Sequence, residues 1–310
     1  MKLAILLGAG ASYGCGNVVP ERPPLGAELF ERLKRAYPDS WGSLLTHEEN
    51  EAFKEDFEVG MDGIWQRQSG NAAQLLLIDM ALYFSKFRAT GANCYSRLLD
   101  VVGAPGMESA FCTLNYDLLF EQAVARSGRS LRTLGRVMGT GPPVGLLKPH
   151  GSCNYIDPVT RNVHRSTMGV TQHFVYREGP PQPADLEIVT PDELARIYSE
   201  GPTIPPAISI YMPTKHSPVG FTIIQSVRAN WAQVASKADV ILSIGTRPVE
   251  QDAHIWDPVL QSKVDVWFVG GQDADYGRRA WKLGARMQYL GATFAGSLPE
   301  IRRRLELGHP

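Results

Sequence analysis

An asparagine and a histidine, each set just beyond an apolar run and beside small residues, are the side chains here best placed for chemistry. Asn115 lies in Thr113-Leu-Asn-Tyr-Asp117 and His150 in Lys148-Pro-His-Gly-Ser152. An imidazole held on a loop between proline and glycine is suited to moving a proton near neutral pH. A carboxamide at a strand-to-helix junction can orient a water or a hydroxyl, and helix capping by Asn115 or Asp117 is the alternative reading of that segment. Gly8-Ala9-Gly10, with Ser12 after it, follows directly on the apolar residues 3–7. Glycine lacks the Cβ that would block a phosphate from the backbone N–H groups, and a following helix adds a favourable dipole. A fourth apolar run, residues 241–244, stops at Gly245-Thr246.

Each of these runs reads as a buried strand. In an open parallel sheet the carboxyl ends of the strands line the ligand crevice, so four such endings converge on one site. The expected fold is α/β: a Rossmann-like parallel sheet with helices on both faces, in one domain over residues 1–310, with a helical insertion and a small irregular subdomain. Residues 25–102 form the helical insertion, with apolar positions at helical spacing in 25–35 and 71–88. Alternation then resumes with a strand to Thr113, a helix over 116–126 and a strand near 146–147. Residues 157–220, rich in Pro and Gly, read as an irregular subdomain or lid. Beyond them the pattern predicts a helix over 221–237, strands over 240–244 and 264–269, a helix over 274–283, a strand over 287–290 and a last helix from Leu298.

A chain of 310 residues with 44% hydrophobic content can bury a substantial core. Its net charge of -1 carries no basic footprint for nucleic acid, and Arg302 to Arg304 read as a solvated helix face. Cys15, Cys94, Cys112 and Cys153 include no CxxC pair, which fits reduced thiols in a cytoplasmic protein and offers no metal site. Residues 3–7 are too short for a secretory leader or a membrane span, so no membrane association is expected. His47, His164, His173, His216 and Lys215 have no spaced partners and read as surface or structural residues. An ordinary dehydrogenase needs an acidic residue closing a second strand about 20 residues after the glycine loop. That position falls in the helical stretch near Glu28 and Glu31, which disfavours it.

In order, the four segments resemble the sirtuin-like superfamily, and within it the bacterial NAD-consuming branch found in antiphage defence. The likeness rests on Gly8 to Ser12 as a GAG-x-S loop, Thr113 to Asp117 as T-x-N-x-D, His150-Gly151 as HG, and Gly245-Thr246 after the late strand. Asp252-Ala-His254-Ile255 looks like a D-x-H-I element, and Trp231, Ala238 and Asp239 also fit. The chain departs from sirtuin deacylases in two places. Residues 151–240 contain only Cys153, so the four-cysteine zinc clasp of those enzymes cannot be built. The glycine loop also continues as Tyr13-Gly-Cys-Gly-Asn-Val-Val-Pro20 instead of a G-I-P-D-F-R-type element.

The resemblance implies an NAD hydrolase that releases nicotinamide and ADP-ribose, with NAD as substrate, no metal, and a role in defence by NAD depletion. Asn115 and His150 are then catalytic. Gly8, Ala9, Gly10 and Ser12 hold the pyrophosphate, Gly245, Thr246 and Asp252 lie toward the adenosine, and Thr113 and Asp117 complete the NAD pocket. Control by homo-oligomerisation or by a companion protein such as a HerA-type ATPase is expected. A non-catalytic NAD or ADP-ribose sensing module, or a zinc-free deacylase or ADP-ribosyltransferase, are the alternatives.

Overall fold

In the computed structural model the described residues are 1–67, 71–158, 160, 186–201, 204–209, 219–271 and 286–307. Twelve strands occur among them: β1 (Lys2–Leu7), β2 (Val18–Val19), β3 (Arg88–Ala89), β4 (Glu108–Thr113), β5 (Ser130–Thr133), β6 (Arg136–Met138), β7 (Pro143–Leu147), β8 (Tyr155–Ile156), β9 (Glu187–Ile188), β10 (Val240–Ile244), β11 (Asp265–Val269) and β12 (Met287–Gly291). Eight build one sheet in the order β12-β11-β10-β1-β4-β7-β5-β6, parallel throughout except for the β5–β6 hairpin. The chain runs from β1 toward β4 on one side and later from β10 toward β11 on the other. The order therefore reverses beside β1, which is where such sheets open a crevice.

The chain divides into two compact units. The first comprises Met1–Glu28, Lys86–His150 and Gln225–Pro310, and holds the whole large sheet. β1 and β10 are buried along almost their full length, as strands covered on both faces must be. On one face Ala4, Leu6, Cys112, Ile241 and Val266 pack with Trp231, Ala235, Ile255, Trp256 and Val259. Those partners come from helices α9 (Phe221–Lys237) and α10 (Ala253–Gln261). The Trp231 indole donates to the Ile255 carbonyl at 3.0 Å and pins the two helices together. On the other face Phe111 meets Phe120 of α7 (Leu119–Arg126), and Phe120 meets Tyr95 of α6 (Cys94–Val102). Tyr95 in turn packs edge-on against Phe294, the first residue of α11 (Phe294–Glu306).

The second unit, Leu29–Ser85 and Gly151–Ile224, contains α3 (His47–Glu55), α4 (Phe57–Arg67), α5 (Asn71–Phe84), α8 (Pro191–Ser199) and the small β8–β9 pair. Phe30, Trp41, Phe53 and Phe57 form its aromatic cluster. Residues 25–28 and 86–102 of the expected helical insertion fall in the first unit. Phe30 sits on α2 (Gly26–Ala36), and α1 (Ala9–Tyr13) follows the glycine loop.

The expected strands and α9 agree with the structure to within three residues where described, with three departures. Helix α7 starts at Leu119 rather than Tyr116, because the Asp117 carboxylate accepts the Leu119 N–H at 3.0 Å and holds residues 115–118 out of the helix. Helix α11 starts at Phe294, where Thr293 caps the Gly296 N–H, and continues through Pro299. The hairpin β5–β6 and helix α10 were not expected. The helix expected over 274–283, most of 157–220, and His164, His173, Lys215 and His216 lie outside the described residues. No helix among the described residues is long and apolar enough to cross a membrane.

Candidate active site

The four sequence segments end level at one edge of the sheet. Leu7 pairs with Thr113 on one side and with Ile244 on the other, and Cys112 pairs with Leu147. Asn115 and His150 each come three residues after this last pair, on the loops that follow the two adjacent parallel strands. Lys148 straps the two segments together. Its ammonium, wholly buried, donates to the Asp117 carbonyl at 2.9 Å and pairs with Glu121 at 2.7 Å.

Backbone approach explains the glycines in a way the sequence reading did not anticipate. The Gly8 N–H donates to the Ile244 carbonyl and the Gly10 N–H to the Gly245 carbonyl, both at 2.9 Å. Gly245 has φ +63°, and a Cβ there would lie 2.2 Å from the Ala11 nitrogen. The two glycine loops therefore pack main chain against main chain, and the N–H groups of Gly8 and Gly10 are committed to that contact. Ala9, at the tip, is exposed. Thr246 is buried, with its hydroxyl 2.6 Å from that of Ser243.

Asn115 is held by a buried polar network. Its amide nitrogen donates to the Gly8 carbonyl and to the Ser12 hydroxyl, both at 2.9 Å, with the Tyr95 hydroxyl 3.4 Å away. A carbonyl can only accept, so the contact with Gly8 fixes which end of the amide is nitrogen. The Asn115 backbone N–H is taken by Thr113 Oγ1 at 3.2 Å. Asn115 thus does not cap α7, and its side chain turns back toward the glycine loop. Ser12, expected to face phosphate, is only 1% exposed and shares a 2.8 Å hydrogen bond with Tyr95. Tyr95 reaches this position because Asn93 caps α6 and the Cys94 N–H donates to the Cys15 carbonyl at 2.8 Å. Asp117 is buried beside this network, and burial raises its carboxyl above the ordinary carboxylate range despite the Leu119 N–H and Lys148.

His150 has a different set of neighbours. Its Nε2 lies 3.1 Å from His254 Nε2 and 3.3 Å from Asp252 Oδ1, with the two imidazole rings 5.1 Å apart and tilted by 45°. The structure puts Asp252, expected toward the adenosine with Gly245 and Thr246, beside this imidazole. Arg228 of α9 is buried nearby, donates to the Pro149 carbonyl at 3.1 Å and interacts with the Asp252 charge. Burial lowers its guanidinium from the ordinary value. Gly151, in the second unit, has φ +80°, and a Cβ there would lie 1.8 Å from the Ala207 carbonyl oxygen. His254, Arg228 and Tyr95 were not assigned to the site from sequence. Only His254 left a signal, inside the D-x-H-I segment.

The fold is similar to the Rossmann-like architecture of Sir2 enzymes. Two solved structures match it over nearly their full length. A Sir2 enzyme whose structure addresses mechanism and regulation is 15% identical with a TM-score of 0.51, covering 99% of this chain and 94% of its own. A Sir2 homologue in complex with NAD is 16% identical with a TM-score of 0.50, covering 99% and 90%. No family model and no curated protein matches the chain.

Proposed function

We propose that the protein hydrolyses NAD to nicotinamide and ADP-ribose. The observation that supports this reading is that Asn115 and His150 lie on the loops following two adjacent parallel strands, with Asn115 anchored on the glycine loop after the neighbouring strand. The fold likeness to a Sir2 homologue bound to NAD supports the choice of ligand.

In the reaction the glycosidic bond between the nicotinamide nitrogen and the ribose C1′ breaks, and its electron pair neutralises the pyridinium. Water adds to the oxocarbenium-like carbon and loses a proton. His150 takes that proton, from the water or through a ribose hydroxyl, and the Asp252 carboxylate stabilises the imidazolium that forms. Asn115 has committed its amide hydrogens to Gly8 and Ser12, so its carbonyl oxygen orients the water or hydroxyl as an acceptor. Ser12, Tyr95 and Thr113 position Asn115. Ala9, at the exposed tip of the Gly8–Gly10 loop, approaches the pyrophosphate, and Gly245 and Thr246 shape its other wall.

Hydrolysis as the reaction, rather than deacylation, is favoured by the lone Cys153 in 151–240, which leaves no four-cysteine clasp. The defence role, cytoplasmic location and control by self-assembly or a HerA-type ATPase belong to the same reading and rest on the motif resemblance. Chromatography of NAD incubated with the protein, alone and with candidate partners, tests it. Nicotinamide and ADP-ribose should appear in equal amounts. His150→Ala or Asn115→Ala should slow their release by roughly 10²- to 10⁴-fold with the fold retained. Release at the wild-type rate by either variant overturns the assignment.

A further inference from the structure

The neighbours of His150 offer more than a proton path. His150, Asp252 and His254 each bring a ligand atom to within 4.8 Å of those of the other two. A tetrahedral metal with bonds of about 2.0–2.1 Å spaces its ligand atoms roughly 3.3–3.4 Å apart. The distances from His150 Nε2, 3.1 Å to His254 and 3.3 Å to Asp252, are close to that spacing before any adjustment. We propose that His150, Asp252 and His254 form a three-ligand site for a divalent cation of the zinc class, with a fourth position left for water or substrate.

The elements hold the ligands from two directions. His150 comes from the loop after β7, whereas His254 lies in the first turn of α10 and Asp252 immediately precedes that helix. Trp231 anchors α10 through the Ile255 carbonyl, next to His254. His150 and Asp252 are buried and His254 is half-buried, so a bound cation would lose part of its water shell and need strong donors in exchange.

The donor set selects the metal. Two imidazoles and one carboxylate suit zinc and its first-row neighbours, whereas magnesium and calcium are held chiefly by several charged oxygens. The Arg228 guanidinium already interacts with Asp252, so the two imidazoles would carry more of the binding than the carboxylate. Binding depends on this geometry and not on the proposed NAD chemistry, although a cation on His150 would withdraw that imidazole from base catalysis.

The test is a calorimetric titration of the metal-free full chain with zinc chloride, followed by X-ray absorption at the zinc edge. One ion per chain is expected, in a nitrogen and oxygen shell that includes two imidazoles. His254→Gln and Asp252→Asn should each weaken binding by more than the roughly 10- to 100-fold that follows loss of an outer partner. His47→Ala, at an exposed position on α3, should bind as wild type does. Circular dichroism establishes that the variants fold. If they do not, the wild-type absorption spectrum decides alone. Absence of stoichiometric binding, a sulfur shell, or affinity unchanged in a folded His254→Gln overturns the site.

Discussion

Asp117 is a carboxyl closed off from water next to the groups that hold Asn115. Burial favours its neutral form, so its folded-state pKa lies above the ordinary value near 3.9. The folded chain therefore binds the proton more readily than the unfolded chain does. Stability from this residue is present at low pH and is lost as pH rises through the folded value. Asp117→Asn removes the titrating charge while keeping an oxygen for the Leu119 N–H. The variant should be the more stable at about pH 8, with the gap closing toward about pH 4. Urea unfolding across that range checks it, and a gap that widens on acidification contradicts it. On the proposed reading Asp117 shapes the pocket without touching the reacting atoms, so the variant should keep turning over NAD. This separates it from Asn115, whose neighbours Gly8 and Ser12 tie it to the glycine loop.

Between elements, the strap from the loop after β7 to α7 ties together the two segments that carry Asn115 and His150. Lys148 is fully buried and Glu121 is 17% exposed, so neither charge is compensated well by water once the other is removed. Glu121→Gln should cost about 3–5 kcal/mol by stranding the ammonium, and Lys148→Met should cost about 3 kcal/mol. The double variant should recover part of the loss, with a coupling above about 1 kcal/mol in chemical denaturation. Additive losses would show that Lys148 acts through its aliphatic stem alone. At this scale the sequence was legible wherever an apolar strand stopped at a polar or small residue, as at Leu7, Thr113, Leu147 and Ile244. Strand β6 was not, because Arg136, Val137 and Met138 are all exposed and carry no burial pattern. Helix α10 was hidden by Pro258 in its interior. Tyr95 was invisible as a site residue because its role depends on α6 meeting the glycine loop, a contact 83 positions apart in sequence.

Across the whole molecule the four thiols report how tightly the chain is closed. Cys15, Cys94 and Cys112 lie in the first unit and Cys153 in the second, and all four are free and buried. Burial, reinforced by the Asp117 charge and by Cys94, pushes the Cys15 thiol up to about 12. Cys94 and Cys112 move in the same direction, chiefly through burial. The thiolate is the reactive species, so at pH 8 only about one Cys15 in ten thousand carries it, against roughly a quarter for an ordinary thiol. Access and ionisation therefore act together, and modification has to wait for opening of the surrounding structure. A disulfide reagent at pH 8 should leave the native protein essentially unlabelled and count four thiols after denaturation. Cys153→Ser removes the only reporter in the second unit. Any kinetic phase it abolishes then measures the opening of that unit, while the remaining phases measure opening around the glycine loop. Rapid stoichiometric labelling of the native chain would mean that the core around β1 and β4 is open to solvent, and the buried network that orients Asn115 could not persist there.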